Sequence, residues 1–179
     1  MPKPLRVRYS RIQRDVDALL SRHSVNRPPV DIAEMAEKEG ASISYERLED
    51  DLSGFFVRGK TNFVIGVNKW HPDTRQRFTI AHELGHHFLH NFDDVHVDRA
   101  FRFRSPISAK AVDIEEIEAN TFAAWILIPE RMLLSDIRSS GIDLQDDDRI
   151  QELAVRYAVS QQSMSFRILN LASRRRAIF

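Results

Sequence analysis

The chain has 179 residues, 42% hydrophobic and 29% charged, and its 26 Lys and Arg balance its 26 Asp and Glu. That composition supports one sizeable globular core and supplies no overall field toward nucleic acid or membrane. Cysteine is absent, which excludes disulfides, thiolate zinc sites and thiol catalysis and leaves His and carboxylates as the metal donors.

No apolar run approaches the ~18 residues of a membrane span, and no basic stretch leading into an apolar signal segment opens the chain, so a cytoplasmic location with no membrane partner is expected. Local basic clusters, the seven basic residues from Lys3 to Arg27 at one end and Arg174 to Arg176 at the other, read as solvated surface.

In chain order, Ile12, Val16, Leu19 and Leu20 share one face of a helix running from about Tyr9 to Leu20, and the stretch from Ser24 to Pro29 interrupts it. Pro29 and Asp31 open a short second helix with Ile32, Met35 and Ala36 as its buried stripe and Gly40 as its stop. Ile43 to Leu48, Leu52 to Val57 and Asn62 to Val67 read as strands, the last two joined as a hairpin through Arg58 to Thr61, making a small antiparallel sheet. Pro72 and Asp73 start the strongest helix, with Phe78, Ala81, Leu84, Phe88 and Leu89 at helical spacing up to about His90.

Asn91 to Lys110 shows no period and reads as a long irregular connection or a lid. Asp113 to Leu127 is helical again, and Pro129 begins a further helix through Arg131 to Ile137. Asp146, Asp147 and Asp148 then place negative charge where the dipole of the next helix favours it. The segment from Ile150 to Leu171 has a helix, tight turn, helix pattern. DNA binding, packing on the main domain and docking of a partner protein all account for such a pair. The expected fold class is α+β and mostly helical, with a small antiparallel sheet and a C-terminal helix-turn-helix-like pair. The expected organisation is an N-terminal helical segment over residues 1–24, a main domain over 25–140 and the C-terminal helix pair over 141–179.

The chemistry sits in His82-Glu83-Leu84-Gly85-His86. Residues four apart on a helix project from one face, so two imidazoles can close on one ion. Glu83, ~100° round the helix, reaches the open side of the ion, where a general base is needed. A structural zinc site would want four protein ligands, and three with an open position fits this chain better.

For the third ligand, His90 continues the four-residue rhythm, but a rise of ~12 Å over eight residues puts it too far along the helix to share an ion with His82. The longer HExxHxxGxxH pattern fails, because Leu89 and Phe92 stand at its Gly and third His. His87 faces away from the pair, as surface or in support of a ligand, and His96 is a weaker candidate from the irregular segment. The acidic cluster Asp113, Glu115, Glu116 and Glu118 remains. Glu116 has Asn120 one turn later as an acceptor that could orient a ligating imidazole, whereas Glu115 and Glu118 read as solvated charges unless the helix phase is off by one residue.

Arg77 to His86, followed by Glu116 to Pro129, resembles the ImmA/IrrE family of bacterial metallo-endopeptidases, with both blocks matching in order and spacing. The resemblance extends over about Val25 to Leu171. It implies a gluzincin-like metallopeptidase domain, one zinc ion per chain on His82, His86 and Glu116, and Glu83 as catalytic base. It also implies a protein substrate, a Cro/CI-type helix-turn-helix repressor, whose cleavage switches on a mobile element or a stress response. Neither a separate N-terminal repressor domain nor a C-terminal sensory domain is expected. His87, His90 and Tyr45 are all available as oxyanion stabilisers. Two competing readings are a non-proteolytic zinc-binding regulator or toxin-antitoxin component that binds a repressor, and a DNA-binding surface. Manganese or cobalt could also occupy His and carboxylate donors.

Overall fold

The computed structural model describes residues 6–59, 62–90, 95–99, 114–140 and 146–176. Its elements in order are α1 (Tyr9–Arg22), α2 (Ile32–Lys38), β1 (Ala41–Glu46), β2 (Leu52–Arg58), β3 (Phe63–Asn68), α3 (Asp73–Leu89), β4 (Val95–Arg99), α4 (Ile114–Leu127), α5 (Glu130–Ser140), α6 (Asp147–Tyr157) and α7 (Gln161–Arg176). The fold is α+β, as the hydrophobic patterning predicts.

Local signals explain the helices. The buried face of α1 is Ile12, Val16, Leu19 and Leu20, the predicted stripe. In α2 the Asp31 carboxylate accepts from Glu34 N at 3.0 Å, an N-cap, and Gly40 follows the helix with φ +96°, where a side chain would be strained. The Asp146 side chain likewise caps α6 by accepting from Asp148 N at 3.0 Å.

The sheet departs from expectation. Its order is β1-β3-β2-β4 and it is mixed: β2 pairs antiparallel with both β3 and β4, but β1 pairs parallel with β3. A five-residue link between two strands reads locally as a hairpin. Here the link is drawn instead toward the end of β3, where the Asn68 amide donates to Leu52 O at 2.9 Å and Glu49 O at 3.1 Å. β1 can therefore lie on one side of β3 and β2 on the other. β4 is a second correction, because it forms a sheet edge inside the stretch expected to be irregular. The rest of that stretch lies outside the described residues, as do Lys60 and Thr61 of the expected hairpin link.

α3 is the central element. Its buried residues run from Thr79 to His86 without interruption, so it is enclosed on nearly all sides. The sheet covers one side, where a Cβ at Gly54 would come within 2.5 Å of both Gly66 O and Thr79 Cγ2, so only glycine permits this approach. α4 covers another, with Gly85 against Phe122. One core joins these layers through Ile12, Ile32, Phe56, Ile80, Leu84, Phe122, Ile126 and Tyr157. No described helix is long and apolar enough to cross a membrane.

The C-terminal pair turns at Ala158, whose φ of +51° is left-handed. Arg77, on α3, donates from Nε to Ala158 O at 3.1 Å and from Nη2 to Val30 O at 2.7 Å. The buried Arg167 of α7 donates to Ile128 O at 3.1 Å and lies over the Trp125 ring at 5.3 Å. Two cations thus attach the pair to the rest of the molecule.

Candidate metal centre

α3 and α4 bring three donors together. The Nε2 atoms of His82 and His86 are 2.9 Å apart, Glu116 Oε2 lies 3.4 Å from His82 Nε2, and Glu116 Oε1 lies 3.3 Å from His86 Nε2. A tetrahedral ion with bonds of about 2.0–2.1 Å has edges of about 3.3–3.4 Å. Two edges match that figure and the third is somewhat shorter. A His-His-Glu group of this kind could bind a metal ion.

The hydrogen bonds behind the donors set their tautomers. Asn120 Oδ1, one turn beyond Glu116, lies 3.2 Å from His82 Nδ1 and can only accept, so Nδ1 carries the proton and Nε2 a lone pair. His86 Nδ1 faces His90 Nδ1 at 3.1 Å, and His90 Nε2 faces Glu118 Oε2 at 2.9 Å. Burial alone would raise the Glu118 pKa, but hydrogen bonds from Arg8 and His90 outweigh it and hold the group at about 2. Glu118 is therefore a carboxylate that accepts from His90 Nε2–H. Burial, more than any other influence, lowers the His90 pKa and favours the neutral ring. Its Nδ1 then accepts from His86 Nδ1–H, and His86 also presents a lone pair at Nε2. Two lone pairs facing at 2.9 Å repel unless a cation lies between them, so the donor set fits a metal.

Glu83 is fully buried on the same helix, between the two ligand candidates in sequence. His87 is half-buried and stacks on Phe63 at 4.0 Å, with burial first and then Arg58 pushing its pKa down. Tyr45 is half exposed on the sheet-edge strand β1, beside Gln76 and Arg77 at the start of α3. Both nitrogens of His90 are engaged with His86 and Glu118. Asp113 and the side chain of His96 lie outside the described residues.

Glu118 corrects the expectation of a solvated charge, since it is fully buried. An acid in an acidic helical run reads as exposed, and its counter-ion Arg8 is 110 residues away in the chain. Arg8 gives Glu118 its backbone N–H at 2.7 Å, its Nε–H at 2.9 Å and a further bond from Nη2, which also donates to Leu89 O at 3.1 Å. His90, weighed from the spacing 82, 86, 90 as a third ligand, instead lies one turn from His86 with its Nδ1 against the Nδ1 of that residue.

A solved structure described as a Mycobacterium tuberculosis transcriptional regulator shares the fold, with a TM-score of 0.56 at 18% identity over 86% of this chain. The chain spans 45% of that structure's length. The protein named "Uncharacterized immunity region protein 2" of Bacillus phage phi105 is 27% identical over 138 residues, 77% of this chain and 80% of that protein. The family model Peptidase_M78, described as the IrrE N-terminal-like domain, matches residues 36–169, a span that holds all three donors, Glu83 and Asn120. With both helices of the metal centre inside that span, the chain belongs to the Peptidase_M78 family of IrrE N-terminal-like domains.

Proposed function

We propose that the protein is a zinc-dependent endopeptidase that cleaves a protein substrate, a helix-turn-helix repressor of the Cro/CI type. The observation that carries the reading is the convergence of His82, His86 and Glu116 on one point, with Glu83 buried on the same helix. His82, His86 and Glu116 would hold the ion, and two His with one Glu is a donor set suited to catalytic zinc. Bound zinc supplies Lewis acidity toward the scissile carbonyl and acidifies water. Glu83 takes the proton from the attacking water and passes it to the leaving amine. Asn120 keeps His82 in the ligating tautomer.

A repressor as substrate follows from the family resemblance, and the name of the phage relative, an immunity region protein, is consistent with it. A DNA-binding substrate also places the reaction in the cytoplasm. Protein is favoured over DNA as the partner by the exposed Phe166 and Leu169 on α7 and by three aspartates opening α6, which would repel phosphate.

The test starts with metal content, which needs no substrate. About one zinc per chain is expected in the native protein and little in His82→Ala or Glu116→Ala. Co-incubation with a candidate repressor should then yield two fragments, and none with Glu83→Gln. A repressor that is bound tightly but never cut would leave a zinc-binding regulator as the better account.

A further inference from the structure

We propose that Arg8, Glu118 and His90 form a positioning relay for His86, making the N-terminal helix a working part of the metal centre. This rests on the metal-site reading above and adds residues to it, one of them outside the span matched by the family, which begins at residue 36.

The two imidazole candidates are held differently. His82 leans on a neutral amide, Asn120. His86 leans on His90, which leans on an ionised carboxylate, which in turn is gripped by a guanidinium. Each hydrogen bond in the series fixes the proton position of the next, so the lone pair at His86 Nε2 depends on Glu118 being aimed to accept from His90 Nε2–H. A buried carboxylate keeps its charge only when a cation and further donors replace lost water. Arg8 supplies both, through its backbone N–H and its guanidinium.

Arg8 also seats α1 on the metal helix. Its Nη2 reaches Leu89 O, and Arg11 donates to Phe88 O at 3.0 Å, so two cations meet the last carbonyls of α3, where the helix dipole favours positive charge. A residue that only stabilised this corner could use any of these contacts. The relay predicts more, namely that the electronic character and aim of His86 change when the series is cut.

The experiment uses the full chain stripped of metal, with zinc affinity measured by competition against a chromophoric chelator and geometry read from the visible absorption of the cobalt-loaded protein. Circular dichroism of the metal-free form checks folding. Arg8→Met and His90→Leu should each weaken zinc about 10- to 100-fold and shift the cobalt bands. His90→Asn, which keeps an acceptor near the position of Nδ1, should recover most of the affinity lost in His90→Leu. Should Arg8→Met fail to fold, the His90 pair still tests the link to His86, and Glu118→Gln, expected to weaken zinc about 10- to 100-fold, tests the link beyond it. Folded His90→Leu protein with native zinc affinity and a native cobalt spectrum would overturn the relay, as would His90→Asn behaving like His90→Leu. A native chain that binds no zinc would sink the metal-site reading and the relay with it, so the two failures look different.

Discussion

His82 Nδ1 stands 3.2 Å from the side-chain oxygen of Asn120, joining a residue of α3 to one of α4 across 38 positions of sequence. The bond does for His82 what the longer series does for His86. Asn120→Ala should therefore free the ring to rotate and to take the other tautomer, weakening zinc about 10- to 100-fold. Asn120→Asp, which retains an acceptor, should bind close to native. Chelator competition on the two variants measures the difference.

Glu83→Gln keeps the shape of the side chain and removes its ability to take a proton. Zinc content should stay near native while cleavage of a repressor substrate falls by about 10²- to 10⁴-fold. Metal analysis and a single-turnover cleavage assay on the same preparation check both halves. Native cleavage by this variant would remove Glu83 from its assigned role.

Gly85 sits between the two His on the side of α3 that packs against Phe122 of α4. A Cβ there would lie 3.0 to 3.2 Å from Cδ1, Cβ and Cγ of Phe122. Alanine gains about 1 kcal/mol in helix propensity. Overpacking a buried contact costs about 1–3 kcal/mol, and the cost dominates here because Phe122 is buried and its Cβ moves only with the backbone of α4. Gly85→Ala should thus lower the melting temperature and, by easing α4 away, also weaken zinc. Thermal melts of the metal-free protein and chelator competition report the two effects separately.

How much of this was legible in the sequence depended on distance along the chain. The stripe of α1, the Asp31 cap and Gly40 stop of α2, the span of α3 and the paired helices α6 and α7 are local patterns and stand as expected. His82 and His86 lie one helical turn apart, a local pattern, and the fold brings Glu116 of α4 beside them in a group that could bind a metal ion. What could not be read is long-range. Nothing near Ala41 says that its partner is Phe63 in parallel register, and nothing near Val95 says that a strand edge at Val57 awaits it. Glu118 looked solvated because its neighbours are acidic, and only the folded chain puts Arg8 beside it. His90 was set aside as a ligand on distance, an argument silent about its bond to His86.

Tyr157 carries a test on the alkaline side. Its hydroxyl donates to Asp136 Oδ2 at 2.8 Å, and burial first, then Asp136, raise its pKa far above the ordinary 10.0, with Arg156 opposing. Above pH 10 the unfolded chain loses this proton and the folded chain keeps it, so unfolding gains free energy and stability drops as pH rises. Below pH 10 both states hold the proton and the contribution is constant. Tyr157→Phe should be less stable at neutral pH by about 1 kcal/mol for the lost bond, yet fall off less steeply above pH 10. Denaturant melts at several pH values give both slopes.

The two bonds of Arg77 bear on how the molecule comes apart. One guanidinium holds the chain just before α2 at Val30, the start of the metal helix, and the bend between α6 and α7 at Ala158. Peeling the C-terminal pair away would leave that half-buried cation short of an acceptor, a loss of about 1.5–3 kcal/mol for a charged hydrogen bond. A partly opened form is thereby disfavoured against both the native and the fully unfolded chain. Residues 30, 77 and 158 are expected to melt in one calorimetric transition, and Arg77→Met to split it or let the C-terminal pair exchange its amide hydrogens ahead of the rest.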